Sequence, residues 1–285
     1  MKNLFISLRP KQWIKNLVVF AGIIFSRNLA DWSMQWKTWC TFFAFCAVVS
    51  AGYLINDILD RESDRHHPVK KYRPIASGSL SVGAAVTAVF VLVLPALIGG
   101  YFVDHLLPVF LAGYMVLQFS YSMYLKHLVI VDVMVIAAGF VIRAVAGAAV
   151  IHVPISSWLV VCTMLLALFL GLAKRRAELV LLEDDAASHR ANLEHYSLEL
   201  IDQMISVTAS ATLVSYALYT FTAFPDSHSM MWTIPFVLYG IFRYLSLVHT
   251  HLRGGSPEQV MLTDKPLLID VVLWVITVVA ALKLN

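Results

Sequence analysis

Charge is what this sequence has least of. Only 14% of its 285 residues are Asp, Glu, Lys or Arg, whereas 59% are hydrophobic and the mean hydropathy is +0.75. A soluble domain carries about 25% charged residues, so this scarcity excludes an ordinary water-covered globule and leaves most of the surface to face lipid. Cysteine is scarce as well. Cys40, Cys46 and Cys162 all sit in apolar stretches, where they form neither a disulfide framework nor a thiolate metal site and read as packing residues. The net charge of +3 is spread over short loops instead of being gathered on one soluble face, so nucleic acid is not an expected partner. No repeat of fixed period and no low-complexity tract divides the chain, which reads as a single domain over 1–285. A cleaved signal is not expected either, because Arg9, Lys11 and Lys15 crowd the place of its apolar core.

Long apolar runs are what the sequence has in abundance. They fall at about 12–27, 38–56, 80–101, 106–125, 130–151, 155–174, 203–224, 229–250 and 266–284. A helix needs roughly 20 apolar residues to cross a bilayer core about 30 Å thick. The expectation is an all-α integral membrane protein of about nine transmembrane helices, with the bilayer as its first partner. The first run is the weakest, since Lys15 and Asn16 interrupt it.

The cations orient the chain. Of the 21 Lys and Arg, 16 fall on the side of the N-terminus and of the loops after spans two, four, six and eight. Arg27, Lys37 and Lys283 fall on the other side, and Arg143 and Arg243 lie within spans. The positive-inside rule then puts the N-terminus and the polar loops in the cytoplasm, as in a bacterial inner membrane protein. The acids share the bias, with only Asp31, Asp104 and Asp226 on the far side. Orientation needs no acids, so those on the cytoplasmic face require another reason.

That reason is sought at the end of span two, Asn56-Asp57-Ile58-Leu59-Asp60-Arg61-Glu62-Ser63-Asp64. On a helix, Asn56, Asp60, Asp64 and Asp57 project at about 0°, 40°, 80° and 100°, one face. Like-charged oxygen ligands gathered so closely repel unless a cation lies between them. Mg²⁺ suits them, since it prefers oxygen and bridges one or two carboxylates to substrate phosphates. A solvated helix end paired to Arg61 and Arg65 is the plainer alternative. It accounts for two acids more readily than for three and an Asn at a membrane surface. Lys70, Lys71 and Arg73 follow, before Pro74-Ile75-Ala76-Ser77-Gly78. Cations beside a carboxylate–metal cluster suit a diphosphate, although Lys71 is as easily a membrane anchor. Arg143, about three turns inside span five, needs a buried partner or a cavity. His66-His67, the His249-x-His251 pair and Glu183-Asp184-Asp185 read as solvated loop or interface residues.

The stretch from Asn56 through Asp64, with Pro68, Lys70 and Arg73 to Gly78, resembles the first aspartate motif of the UbiA superfamily of intramembrane prenyltransferases. Three further segments resemble that superfamily's decaprenyl-phosphate phosphoribosyltransferase branch. They are Arg9-Pro10-Lys11-Gln12-Trp13-Ile14-Lys15-Asn16, then Tyr121-Ser122-x-x-Leu125-Lys126 through Asp132 and Arg143, and Lys174-Arg175-Arg176-Ala177-Glu178-Leu179. Arg243-Tyr244 extends the likeness toward the C-terminus. Aromatic prenyltransferases resemble one another in a second aspartate-rich motif after span four. Here only Lys126 and Asp132 stand there, with Asp132 either a lesser ligand or an orienting partner of Lys126.

The resemblance implies a UbiA-type helical bundle with a cytoplasm-facing active site. It implies Mg²⁺-dependent transfer of 5-phosphoribose from phosphoribosyl diphosphate to a polyprenyl phosphate, releasing diphosphate, in the making of lipid-linked sugar donors for the cell envelope. Asn56, Asp57, Asp60 and Asp64 are the expected metal ligands. Lys15, Lys70, Arg73, Lys126, Arg143, Lys174 and Arg175 are expected to share three phosphorylated groups, with Asn56, Tyr121 and Asp132 beside the substrates. Asp60, Asp64, Lys126 and Arg143 are the expected catalytic set. The lipid phosphate arrives anionic, so no Ser-His or Cys-His device is needed, and none is evident. Two other readings stand beside this one. An aromatic or quinone prenyltransferase on the same scaffold would make an allylic carbon the electrophile. A transporter or lipid-binding scaffold would show interrupted helices in matching halves, and none is seen. A homo-oligomer is compatible with the sequence, which leaves copy number and lipid length unspecified.

Overall fold

The computed structural model describes residues 2–183, 196–223, 228–250 and 257–283. Asp184, Asp185, Asp226 and His251, and with them Arg190 and Arg253, lie outside the described residues, as does the side chain of Glu183. Among the described residues there are helices and no strands. They are α1 (Lys2–Leu8), a 3₁₀ segment (Pro10–Phe20) running into α2 (Ala21–Phe25), α3 (Trp32–Leu59), α4 (Arg61–His66), α5 (Val82–Val103) and α6 (Leu107–Met123). After them come α7 (Val131–Val150), α8 (Ser157–Glu183), α9 (Leu198–Thr222), α10 (Ile234–Thr250), α11 (Pro257–Thr263) and α12 (Lys265–Lys283). The helix starts follow ordinary capping chemistry. Asp31, Ser81 and Ser197 each accept a backbone N–H from the first turn of α3, α5 and α9.

Seven helical stretches among the described residues are long and apolar enough to cross a membrane, and α6 is an apolar helix of 17 residues. The chain is a multi-pass membrane protein. The expected first span differs from an ordinary helix, for it is eleven residues of 3₁₀ turn before α2. Two causes are visible. Pro10 opens it directly after Arg9, whose backbone is left-handed at φ 52. Further on, the Val19 carbonyl lies so close to Gly147 that a Cβ there would come within 2.0 Å of it. Backbone contact with α7 therefore shapes this segment more than its own propensity does.

The chain forms two compact units. One holds residues 1–23, 28–125 and 142–154. Its core joins Val19, Phe45, Val48, Leu107, Leu111, Tyr114 and Ala146, with α3 packed on α5 and α6. The other holds 24–27, 126–141 and 155–285, with α8 packed on α9, α10 on α12, and a core of Val133, Phe169, Leu172, Ile201, Ile205, Ile241 and Leu247. Outward faces are apolar too: Phe90, Val91, Ile98, Val109, Val116, Val207, Val214 and Ile276 are all exposed. That is the pattern of a surface whose solvent is hydrocarbon. Pro95 sits inside α5 without ending it, as membrane helices tolerate.

Candidate active site

In the first unit, the acids at the end of α3 straddle a turn that joins two helices. α3 stops at Leu59, Asp60 turns with φ −85 and ψ 4, and α4 restarts at Arg61. The Asp60 carbonyl accepts the Ser63 hydroxyl at 2.8 Å as well as the Asp64 N–H, a side-chain competition that bends helices. The break sorts the four residues into two groups. Asn56 Nδ2 donates to Asp60 Oδ2 at 2.9 Å. Asp57 and Asp64 turn inward and are buried at 2% and 3% exposure.

Those two carboxylates hold two guanidiniums. Arg9 Nη2 donates to Asp57 Oδ1 at 2.7 Å. Arg73 Nη1 donates to the same oxygen at 3.2 Å and to Asp64 Oδ2 at 2.7 Å. One oxygen of each carboxylate stays outside these pairs. Arg9 also stacks on the Tyr53 ring, 4.6 Å from its centroid. It owes its place to the left-handed turn before Pro10 and to Trp13, whose indole donates to Ser50 Oγ while Ser50 donates to the Leu8 carbonyl. Arg9, Asp57 and Arg73 line a pocket of about 310 Å³ with Ser7, Tyr72 and Pro74.

The loop behind the pocket is held by His67, whose Nδ1 accepts the N–H groups of Val69 and Lys70. Burial, and then the Lys70 charge, press its pKa below the ordinary histidine value. This keeps the ring neutral and able to accept. Arg61 is half-buried, and its Nε has no acceptor among the described residues. Deeper in the same unit, Arg143 is buried. Its Nη2 donates to Tyr114 Oη at 2.6 Å and its guanidinium lies 4.6 Å from that ring's centroid. Tyr114 is thus a buried partner of the kind its depth demands.

In the second unit, Asp132 is fully buried. Its Oδ2 accepts Arg175 Nε at 2.7 Å, and Arg175, 1% exposed, also donates to Glu178. Asp132 thus has a buried cation, Arg175, as a partner. The Tyr196 hydroxyl donates to Asp132 Oδ1 at 3.3 Å, and burial raises the Tyr196 pKa above its ordinary value near 10. Lys174 is partly exposed and lies 3.9 Å from the other oxygen of Glu178. Lys126, in the turn before α7, is half-buried.

Among the described residues no three His, Cys, Asp or Glu side chains converge as a preformed metal cage. Mg²⁺ does not need one, because it commonly takes one or two carboxylates and completes its octahedron with water and substrate phosphate. Asn56, Asp57, Asp60 and Asp64 offer such hard oxygen donors within nine residues, so the donor set fits the ion. Arg9 and Arg61 were not singled out as ligands in the sequence. Arg9 had a signal in the Arg9-Pro10 dipeptide, and Arg61 had none beyond its place inside the motif.

Three comparisons bear on this arrangement. The model of the family described as "UbiA prenyltransferase family" matches residues 17–261. The chain is 33% identical to the decaprenyl-phosphate phosphoribosyltransferase of Mycolicibacterium smegmatis, over 97% of this chain and 91% of that protein. It is 34% identical to the enzyme of the same name from Corynebacterium glutamicum, over 96% and 85%. Its fold matches a UbiA homolog from Archaeoglobus fulgidus solved with GPP and Mg²⁺, at a TM-score of 0.75 and 16% identity over 99% of both chains.

Proposed function

The chain belongs to the UbiA prenyltransferase family, and from that premise we propose that it transfers 5-phosphoribose from phosphoribosyl diphosphate to a polyprenyl phosphate. The observation that carries this reading is its end-to-end likeness to relatives named decaprenyl-phosphate phosphoribosyltransferase, with about a third of residues identical. The chemistry of the first unit supports it. A pocket edged by Arg9 and Arg73 suits a diphosphate, whose charge exceeds what one divalent ion neutralises.

Asn56, Asp57, Asp60 and Asp64 would hold Mg²⁺, which when bound offsets the charge that grows on the departing diphosphate. Arg73, Arg61 and Lys70 bind that leaving group from the protein side, and Arg9 keeps Asp57 in place. The C1–O bond of the ribose breaks, the diphosphate leaves with the bonding pair, and an oxygen of the lipid phosphate forms the new C1–O bond. Lys15, Lys126, Arg143 and Lys174 serve the remaining phosphates, and Tyr121 serves the substrates. Asp132 and Arg175 act on the substrates only through the elements they tie together. The active-site loops face the cytoplasm of a bacterial inner membrane, where the water-soluble donor is made, and the product feeds lipid-linked sugar donors for the envelope.

The test is discrimination between the donor and its fragment. Lys126→Ala should weaken phosphoribosyl diphosphate binding by about 1–3 kcal/mol, the scale of a charged hydrogen bond, and inorganic diphosphate much less. Equal losses for both ligands would place Lys126 on the leaving group. Binding of prenyl diphosphates with indifference to phosphoribosyl diphosphate would overturn the reading in favour of an aromatic prenyltransferase.

A further inference from the structure

Ile130, directly before α7, has a left-handed backbone at φ 67. That conformation crowds Cβ against the following carbonyl and is unusual for a β-branched residue. A residue kept there is held by its surroundings, and such positions gather at functional sites. The Ile130 N–H precedes the helix, so no carbonyl of α7 can receive it. Its acceptor comes from 66 residues away: the amide donates to the Tyr196 phenol oxygen at 2.5 Å. The phenol's own hydrogen goes to Asp132 Oδ1 at 3.3 Å, so one hydroxyl uses both its donor and its acceptor capacity on the same short stretch of chain. The clamp is firm at both ends. Tyr196 is buried in the cluster of Val133, Ile201 and Leu247, and Asp132 is tied by Arg175. The 3₁₀ turn Leu125–His127, which carries Lys126, ends three residues before Ile130.

We propose that Tyr196 is a positioning residue, whose hydroxyl holds Ile130 in its left-handed conformation and thereby sets the turn that presents Lys126 to the 5-phosphate of the donor. What Lys126 binds rests on the proposed function; the clamp itself does not. If Tyr196 served only to pack, its ring would suffice, and Phe would replace it without consequence. If it acts through Ile130, loss of the hydroxyl lets that residue relax, and a glycine there makes the hydroxyl less necessary, because glycine adopts positive φ without steric cost.

The experiment compares full-length wild type, Tyr196→Phe, Ile130→Gly and the double variant in detergent, by amide hydrogen exchange and by steady-state kinetics. In Tyr196→Phe, exchange at the Ile130 amide should quicken by about tenfold or more as its acceptor is lost. KM for phosphoribosyl diphosphate should rise by about five- to thirtyfold, the equivalent of the ~1–2 kcal/mol left-handed penalty. KM for polyprenyl phosphate and kcat should stay within about twofold, since the hydroxyl touches neither lipid nor reacting atoms. Adding Ile130→Gly should return the donor KM to within about threefold of wild type. Unchanged exchange at Ile130, a parallel loss of kcat and both KM values, or no rescue by glycine would each overturn the proposal. If wild type does not use phosphoribosyl diphosphate at all, the functional reading fails. The exchange arm then still decides whether Tyr196 clamps the turn.

Discussion

Arg73 is shared by two buried carboxylates, and that sharing sets the cost of its removal. In Arg73→Ala, Asp57 keeps Arg9 at 2.7 Å, whereas Asp64, with 4% of its side chain exposed, retains no cation among the described residues. Removing one partner of a buried ion pair costs about 3–5 kcal/mol, and a charged hydrogen bond is worth about 1.5–3 kcal/mol. Arg73 is 26% exposed, so water tempers the loss and about 2–3 kcal/mol of destabilisation is expected. Asp64→Asn keeps an acceptor but drops the charge, and should cost about 1–2 kcal/mol. The two substitutions touch the same contact, so the double variant should fall short of their sum by about 1–2 kcal/mol. Reversible unfolding of the four proteins in mixed detergent micelles measures this coupling. A coupling below about 0.5 kcal/mol, the range expected of independent sites, would refute the shared-guanidinium account.

Other outcomes follow from the same contacts. Asp60 is joined to Asn56 instead of an arginine in the Asp57–Asp64 cluster, so Asp60→Asn is the cleaner probe of metal dependence. It should nearly abolish turnover while the protein still folds and inserts, and full activity of this variant in excess chelator would refute the metal site. Gly147→Ala would drive a Cβ to 2.0 Å from the Val19 carbonyl; a loss of about 3 kcal/mol or more, or failure to accumulate in the membrane, is expected from such overpacking. Tyr196 has a raised pKa in the fold, so its contribution is complete below pH ~10 and is lost as pH rises through the folded value. A decline in stability above pH ~10 should therefore be smaller in Tyr196→Phe.

The membrane class and the broad element order were legible because apolar runs of bilayer length have few other uses. Arg143 was legible for the same reason, since a cation that deep demands a partner, and Tyr114 provides it. Helical spacing left one feature out: the turn at Asp60, across which Asn56 bonds Asp60 while Asp57 and Asp64 share Arg73. Local periodicity cannot register a side chain such as Ser63 bonding to the helix carbonyls. The placement of Arg9, 48 residues from Asp57, and of Tyr196, 66 from Ile130, depends on tertiary packing that no short window contains. Asp132 was legible as a residue with a purpose, and the buried Arg175, 43 residues away, is a partner that no short window pairs with it.

In the proposed reaction ribose, and not a prenyl chain, is the electrophile. The deciding measurement gives purified protein Mg²⁺, a polyprenyl phosphate and phosphoribosyl diphosphate labelled separately in the ribose and in the diphosphate. Ribose label in the organic phase, with an equal amount of diphosphate label released to water, is the predicted result. Ribose label confined to the aqueous phase, alongside consumption of a prenyl diphosphate with an aromatic acceptor, would contradict it.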